Sequence, residues 1–241
     1  MHNPLSQFEI KPLIPIELFG IDLSFTNAAA FMLVASLLAI FIFYVLTRNL
    51  SVIPSRCQIA AEMLYRFIKN MVIDTIGHRG LSAIPFIMTL FLFVFMGNML
   101  GLFPYAFTFT SHLSVVGAIS LIGLFVSMIL GVWNRGFSWF RIFFPKGVPW
   151  ALFPIMVPIE IISFLSKPFS LTVRLVMNMM VGHIMLEVVA GFVFMMGLAG
   201  FIPLIFTGVL ILFEIFIGFL QAYIYSILSC IYLSEAFEGE E

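Results

Sequence analysis

From Ala28 to Leu46 the chain carries no charged residue, and four further long apolar runs follow it. They lie at about Ile84 to Phe107, Val115 to Trp133, Ala151 to Val193 and Pro203 to Leu233. An α-helix crosses the hydrocarbon core of a bilayer in about 20 residues and satisfies its own backbone hydrogen bonds while doing so. Composition agrees: 62% of the residues are hydrophobic and 10% are charged, whereas a soluble domain is about 25% charged. The expected fold is therefore an all-α integral membrane protein. It has about five membrane-embedded helices plus an interfacial amphipathic helix, and the last two spans are long and tilted.

The segments between the runs complete a single membrane domain over residues 1–241. Residues 1–27 hold three prolines and three acids and lack the basic start and apolar stretch of a signal peptide. They are expected to form an irregular surface segment. Span 1 covers 28–47, with Thr26 or Asn27 as its cap. Residues 54–77 place Ile59, Met63, Phe67 and Met71 at four-residue spacing, with Glu62, Arg66, Lys69 and Asp74 on other faces. This reads as an amphipathic helix lying at the interface. Spans 2 and 3 cover 84–107 and 115–133. A basic, aromatic interfacial loop follows at 134–150. The long helices cover 151–193 and 203–233, and an acidic tail ends the chain at 234–241. Asn98 with Gly97 and Gly101 suits close helix packing, and His78 and His112 fall in loops and are expected to be solvated.

Basic residues set the orientation. Residues 48–79 hold five and 134–150 hold three, while 108–114 hold none. Basic loops stay on the cytoplasmic or matrix side, which puts the N-terminus outside and the C-terminus inside. The net charge of −1 gives no reason to expect nucleic acid. The two cysteines, Cys57 and Cys230, are far apart and outside any metal-binding spacing, so neither a metal nor a cofactor is expected.

Several ionisable residues have no loop to sit in: Glu160, Lys167, Arg174, His183, Glu187 and Glu214. A central Arg or Lys costs roughly 2.5–3.5 kcal/mol on insertion scales, so each such group is a functional candidate. Glu160, Lys167 and Arg174 are seven apart and share a stripe on an unbroken helix, which Asn178 extends. Ser163, Ser166 and Ser170 add hydroxyls in the same half. Pro168 makes the register approximate. His183 and Glu187 are four apart on a face of their own. In the last run, Glu214, Gln221 and Tyr225 form a second polar stripe. Glu and His exchange protons and hydroxyls and amides hold water. Arg keeps its charge and acts as a fixed positive barrier.

Three stretches in order resemble subunit a of F-type ATP synthases: GNMLGLFPYAFTFTSH (97–112), SFLSKPFSLTVRLVMNMMVGH (163–183) and LQAYIYSILSCIYLSEA (220–236). The resemblance spans nearly the whole chain. It implies a proton-translocating stator subunit beside a rotating ring of c subunits, with two offset half-channels. It also implies contact with the peripheral-stalk b subunits, the rest of the ATP synthase and the lipid bilayer. The bacterial cell membrane or the mitochondrial inner membrane would house it. The family's essential arginine matches Arg174, as the partner of the ring carboxylate. Asn178 and Gln221 match polar residues near it. Glu160, Ser166 and Ser170 match the cytoplasmic or matrix half-channel, and His183 with Glu214 match the opposite one. In some bacterial members the acid and the histidine of this last pair are exchanged. Lys167, Glu187 and Tyr225 are secondary candidates. The subunit would bind no nucleotide and would not be an enzyme on its own.

Other readings of the same residues stand beside this one. Arg174 and Glu160 could form a structural ion pair, and Glu187 could satisfy His183. A self-contained secondary transporter with a charged midplane site is the main alternative, although the chain shows no internal repeat. An intramembrane enzyme ranks last, because no HExxH, GxSxG or aspartate pair appears and Asp22 and Asp74 lie outside the spans.

Overall fold

A computed structural model describes residues 12–15, 17–18, 21–22, 24–48, 51–103, 107–136, 153–196 and 200–237. The expected loop at 134–150 lies largely outside them, as does the end of the acidic tail. Six α-helices dominate the described residues: α1 (Asn27–Thr47), α2 (Arg56–Ile76), α3 (Ile84–Gly101), α4 (Leu113–Arg135), α5 (Phe153–Met195) and α6 (Phe201–Phe237). Five helical segments among them are long and apolar enough to cross a membrane: α1, residues 78–101, α4, α5 and α6. The protein is an all-α membrane protein.

The lead-in is not irregular throughout. Its described residues form two short antiparallel pairs, β1 (Pro12–Ile14) with β4 (Phe25–Thr26) and β2 (Glu17–Leu18) with β3 (Ile21–Asp22). Pairing satisfies backbone groups that an isolated extended segment would leave to solvent. Thr26 then caps α1, its hydroxyl accepting from the Ala29 N–H at 3.4 Å.

α2 begins at Ser55, whose side chain accepts from the Gln58 N–H at 3.3 Å. It stops at Gly77, whose φ of 82° suits a residue without Cβ. Its buried face coincides with the expected Ile59–Met63–Phe67–Met71 stripe only at Met71. Ile59 is 42% and Met63 66% exposed, while Ala61, Ile68, Met71 and Val72 are buried where the helix packs against α1, α3 and α6. Apolar periodicity marks a face that avoids water, and lipid meets that requirement as well as protein does. Phe67 reaches α3 and α6 at the rim, its ring 6.1 Å from Phe91 and 5.8 Å from Tyr223.

The second span is displaced towards the N-terminus: it covers residues 78–101, and α3 ends at Gly101 instead of continuing to Phe107. Pro104 cannot extend it. The returning chain folds back onto the glycines instead: a Cβ on Gly97 would overlap the Phe109 ring, and one on Gly101 would overlap the Thr108 methyl. Phe107–Ser111 is buried there as a short 3₁₀ turn and its approach. His112, expected to be solvated, is half-buried and stacks on Phe107 with centroids 5.0 Å apart. Burial disfavours its charged form and lowers its pKa below the usual 6.5.

α6 is the centre of the bundle and packs against α2, α3, α4 and α5. The core around it includes Phe91, Val94, Leu175, Met179, Ala222 and Leu233. Asn98 is fully buried within this packing, and its Nδ2 donates to the Gly218 carbonyl at 3.1 Å. Gly218 has no side chain there, which lets α3 approach α6 closely.

Candidate functional site

The site is built on α5 and α6. The inward side of α5 carries Phe164, Pro168, Leu171, Thr172, Leu175 and Met179, all buried. Their spacing of three and four residues marks one helical face. The opposite side is exposed and includes Ser163, Ser166, Ser170 and Arg174. Arg174 is the central residue of α5, 21 residues from each end. It thus lies at the protein surface amid exposed apolar side chains such as Phe169, Met177 and Val181.

Glu160, Lys167 and Asn178 are half-buried at the edges of this face. Among the described residues no carboxylate lies within ion-pairing distance of Arg174. Glu160 is about four turns away, about 21 Å along the helix axis, so the internal pair considered above does not form. Lys167 Nζ instead stands 5.9 Å over the Tyr232 ring, a cation–π distance.

Two open cavities meet at Arg174. One, about 350 Å³, runs between α5 and α6 and is lined by Ser166, Lys167, Ser170, Arg174, Ile224 and Leu228, with Leu171 at its base. The other, about 440 Å³, lies on the other flank, between Phe169 and Asn178. Ser170 and Arg174 are common to both. The polar side chains of Ser166, Lys167 and Asn178 add groups that can hold water to linings otherwise made of apolar residues such as Phe169, Met177 and Ile224.

The remaining candidates lie deeper. Glu214 is 5% and Gln221 3% exposed. Both Glu214 carboxylate oxygens and the Gln221 Oε1 lack a hydrogen-bond partner among the described residues. So do Asn98 Oδ1 and Thr110 Oγ1. Buried polar atoms are paired in the great majority of cases, so this concentration on neighbouring elements sets the region apart. His183 Nε2 is 3.1 Å from Thr108 Oγ1, which ties α5 to the turn after α3. The Glu214 carboxylate lies against Gly182, the residue before His183, close enough that a Cβ there would overlap it. The structure thus brings His183 and Glu214 to adjoining positions. Glu187 is half-buried one turn further along.

That overlap gives a direct expectation. Gly182→Ala should push the Glu214 side chain aside and destabilise the protein by up to the about 1–3 kcal/mol of an overpacking penalty. The thermal midpoint of the purified protein in detergent measures it, and an unchanged midpoint would show that the carboxylate need not lie there.

Tyr225 differs from the other candidates. It is 2% exposed and its hydroxyl is hydrogen-bonded to Ser120 on α4, away from both cavities. Thr108, Ser120, Thr172 and Gly182 were not singled out in the sequence. Small hydroxyls and a glycine within apolar runs carry no periodic signal, although Thr108 belongs to the 97–112 stretch and Thr172 and Gly182 to the 163–183 stretch.

The architecture defines a class: a multi-span helical membrane protein with an arginine exposed at the middle of one long helix and a buried carboxyl on the neighbouring one. Residues 29–234 match the family described as ATP synthase A chain. ATP synthase subunit a of Rhodospirillum rubrum is 52% identical over 239 residues, covering 98% of each chain. ATP synthase subunit a of Chelativorans sp. (strain BNC1) is 44% identical over 241 residues, covering 97% of each. The chain belongs to the ATP synthase A chain family.

Proposed function

We propose that this chain is the proton-translocating stator subunit of the membrane sector of an F-type ATP synthase. It works against a ring of c subunits, alongside the peripheral-stalk b subunits, in a bacterial or mitochondrial inner membrane. Its N-terminus is outside and its C-terminus is on the cytoplasmic or matrix side. The observation that carries this reading is the exposed guanidinium at the centre of α5. A charge facing hydrocarbon alone is too costly to keep, so the face requires a partner that supplies a negative group. A carboxylate on a moving ring meets that need while it is deprotonated.

The remaining residues support distinct steps. From the outer side a proton reaches Glu214 beside His183, and either group can hold it and pass it on. The proton then neutralises a ring carboxylate, which can leave the guanidinium and enter lipid. After the ring turns, the carboxylate meets the cavity of Ser166 and Ser170, with Glu160 further along the same half. There the proton is released to the inner side. Asn178 and Gln221 flank the arginine and order water or the carboxylate by hydrogen bonds. Arg174 does not carry the proton, because its pKa keeps it charged. It closes the direct route between the Glu214–His183 side and the cavity of Ser166 and Ser170. Each charge moved yields about 2.3 kcal/mol per 100 mV.

Reconstitution tests the reading as a whole. The chain alone in proteoliposomes should conduct no protons under an imposed potential. The same chain within the complete complex should support potential-driven ATP synthesis. Solute accumulation by the solitary chain would instead make it a self-contained transporter.

A further inference from the structure

α5 continues through Pro168 without a break in its helical assignment. Proline has no N–H, so the carbonyl four residues earlier loses its helical partner. That carbonyl belongs to Phe164. Tyr232 on α6 supplies the missing donor, its hydroxyl reaching the Phe164 oxygen at 3.4 Å. The Tyr232 ring also packs edge-on against Phe164, with centroids 5.1 Å apart.

A second connection lies just past the proline. Thr172 Oγ1 donates to the Pro168 carbonyl at 2.8 Å and is 2.8 Å from Ser120 Oγ. Ser120 is bonded in turn to the Tyr225 hydroxyl. Each hydroxyl has one proton to give, and a carbonyl only accepts, which fixes the order. Thr172 donates to Pro168, Ser120 donates to Thr172, and Tyr225 donates to Ser120. The Val116 carbonyl shares the tyrosine's proton at 3.3 Å. Ser120, Thr172, Tyr225 and Tyr232 are all at least 95% buried. Tyr225 and Tyr232 are seven residues apart, on one face of α6.

The structure assigns Tyr225 and Tyr232 as positioning residues: a two-rung brace from α6 that spans Pro168 and fixes the rotation of α5. One rung holds the helix before the proline and the other, relayed by Ser120 from α4, holds it after. Arg174 lies two residues beyond Thr172, about 200° round the helix. Holding Thr172 inward therefore aims Arg174 outward, and a slip of one residue, about 100°, would take the guanidinium out of the cavity it shares with Ser170. What the brace does for transport rests on the function proposed above. Tyr225 thereby has a structural task in place of a proton-relay one.

The test uses the whole complex in its membrane and two readouts, thermal midpoint and protons pumped per ATP hydrolysed. Tyr232→Phe removes only the hydroxyl and should lower both, the second about threefold or more, the scale of one buried hydrogen bond. In a Pro168→Ala background the new N–H reaches the Phe164 carbonyl, so adding Tyr232→Phe should change neither readout. An equal loss in both backgrounds would overturn the brace. Thr172→Ser keeps the relay and should pump like the parent, whereas Thr172→Val breaks it and should pump less at equal assembly. Equal pumping by the valine variant would overturn the link between brace and site. The thermal comparison does not involve proton flow. It therefore judges the brace even if Arg174 proved dispensable, which would count against the function reading alone.

Discussion

Replacing Arg174 by Ala should abolish proton-driven ATP synthesis in membranes carrying the whole complex, while the detached catalytic head still hydrolyses ATP. The exposed position of the residue decides the magnitude. No internal ion pair to Arg174 exists among the described residues, so the variant leaves no buried countercharge stranded in this chain and should assemble. What is lost is the countercharge offered to a deprotonated partner in the membrane. An unpaired charge at that depth costs roughly 2.5–3.5 kcal/mol, which at 1.4 kcal/mol per decade is on the order of a hundredfold in rate. Passive proton leak through head-stripped membranes should rise, because the barrier proposed between the two proton paths would be gone. Arg174→Lys keeps the charge but loses the planar, two-pronged geometry and should fall between the two. Normal synthesis by the alanine variant would refute the function proposed for this face.

Glu214→Gln should have the next largest effect. The substitution preserves size and shape in a site that is 5% exposed, and it removes a charge with no partner among the described residues. Folding should therefore be retained or improved, since an unpaired buried carboxylate is costly. Proton uptake is another matter, because an amide cannot accept and return a proton. A relay group contributes about 10²–10⁴-fold, so pumping should drop about a hundredfold at normal assembly. Glu214→Asp keeps the chemistry with a shorter reach and should retain a measurable fraction. The observation to make is ATP-driven acidification of vesicles across a pH series. A glutamine variant with the parent's rate and pH profile would remove Glu214 from the path.

The helices were legible because lipid imposes a simple demand, about 20 apolar residues with internal backbone bonding. The same simplicity hid which side of a helix faces protein. α2 shows this, since Ile59 and Met63 satisfy the apolar pattern while Ala61 and Val72 make the contact. Arg174, Glu214 and Gln221 stood out as polar residues in apolar runs. Their spacing could not reveal that the first is displayed at the surface and the other two enclosed, because that depends on which helix packs where. The fold-back after Gly101 rests on a ring filling the space beside a glycine, and the Tyr225–Ser120–Thr172 relay joins three helices across 105 residues. Neither leaves a local trace in the sequence.

The length of α5 has a consequence beyond its fit to the bilayer. At 43 residues it is about 65 Å long, against a hydrocarbon core of about 30 Å. To stay within the core it must lean far over, so its two polar ends reach opposite leaflets at points displaced sideways from one another. The sense of that displacement is fixed by the chirality of the packed helices. On the function proposed above, the device is therefore handed: a circular partner receiving a charge at one end and surrendering it at the other would turn one way when protons flow inward, and the other way when they are driven out.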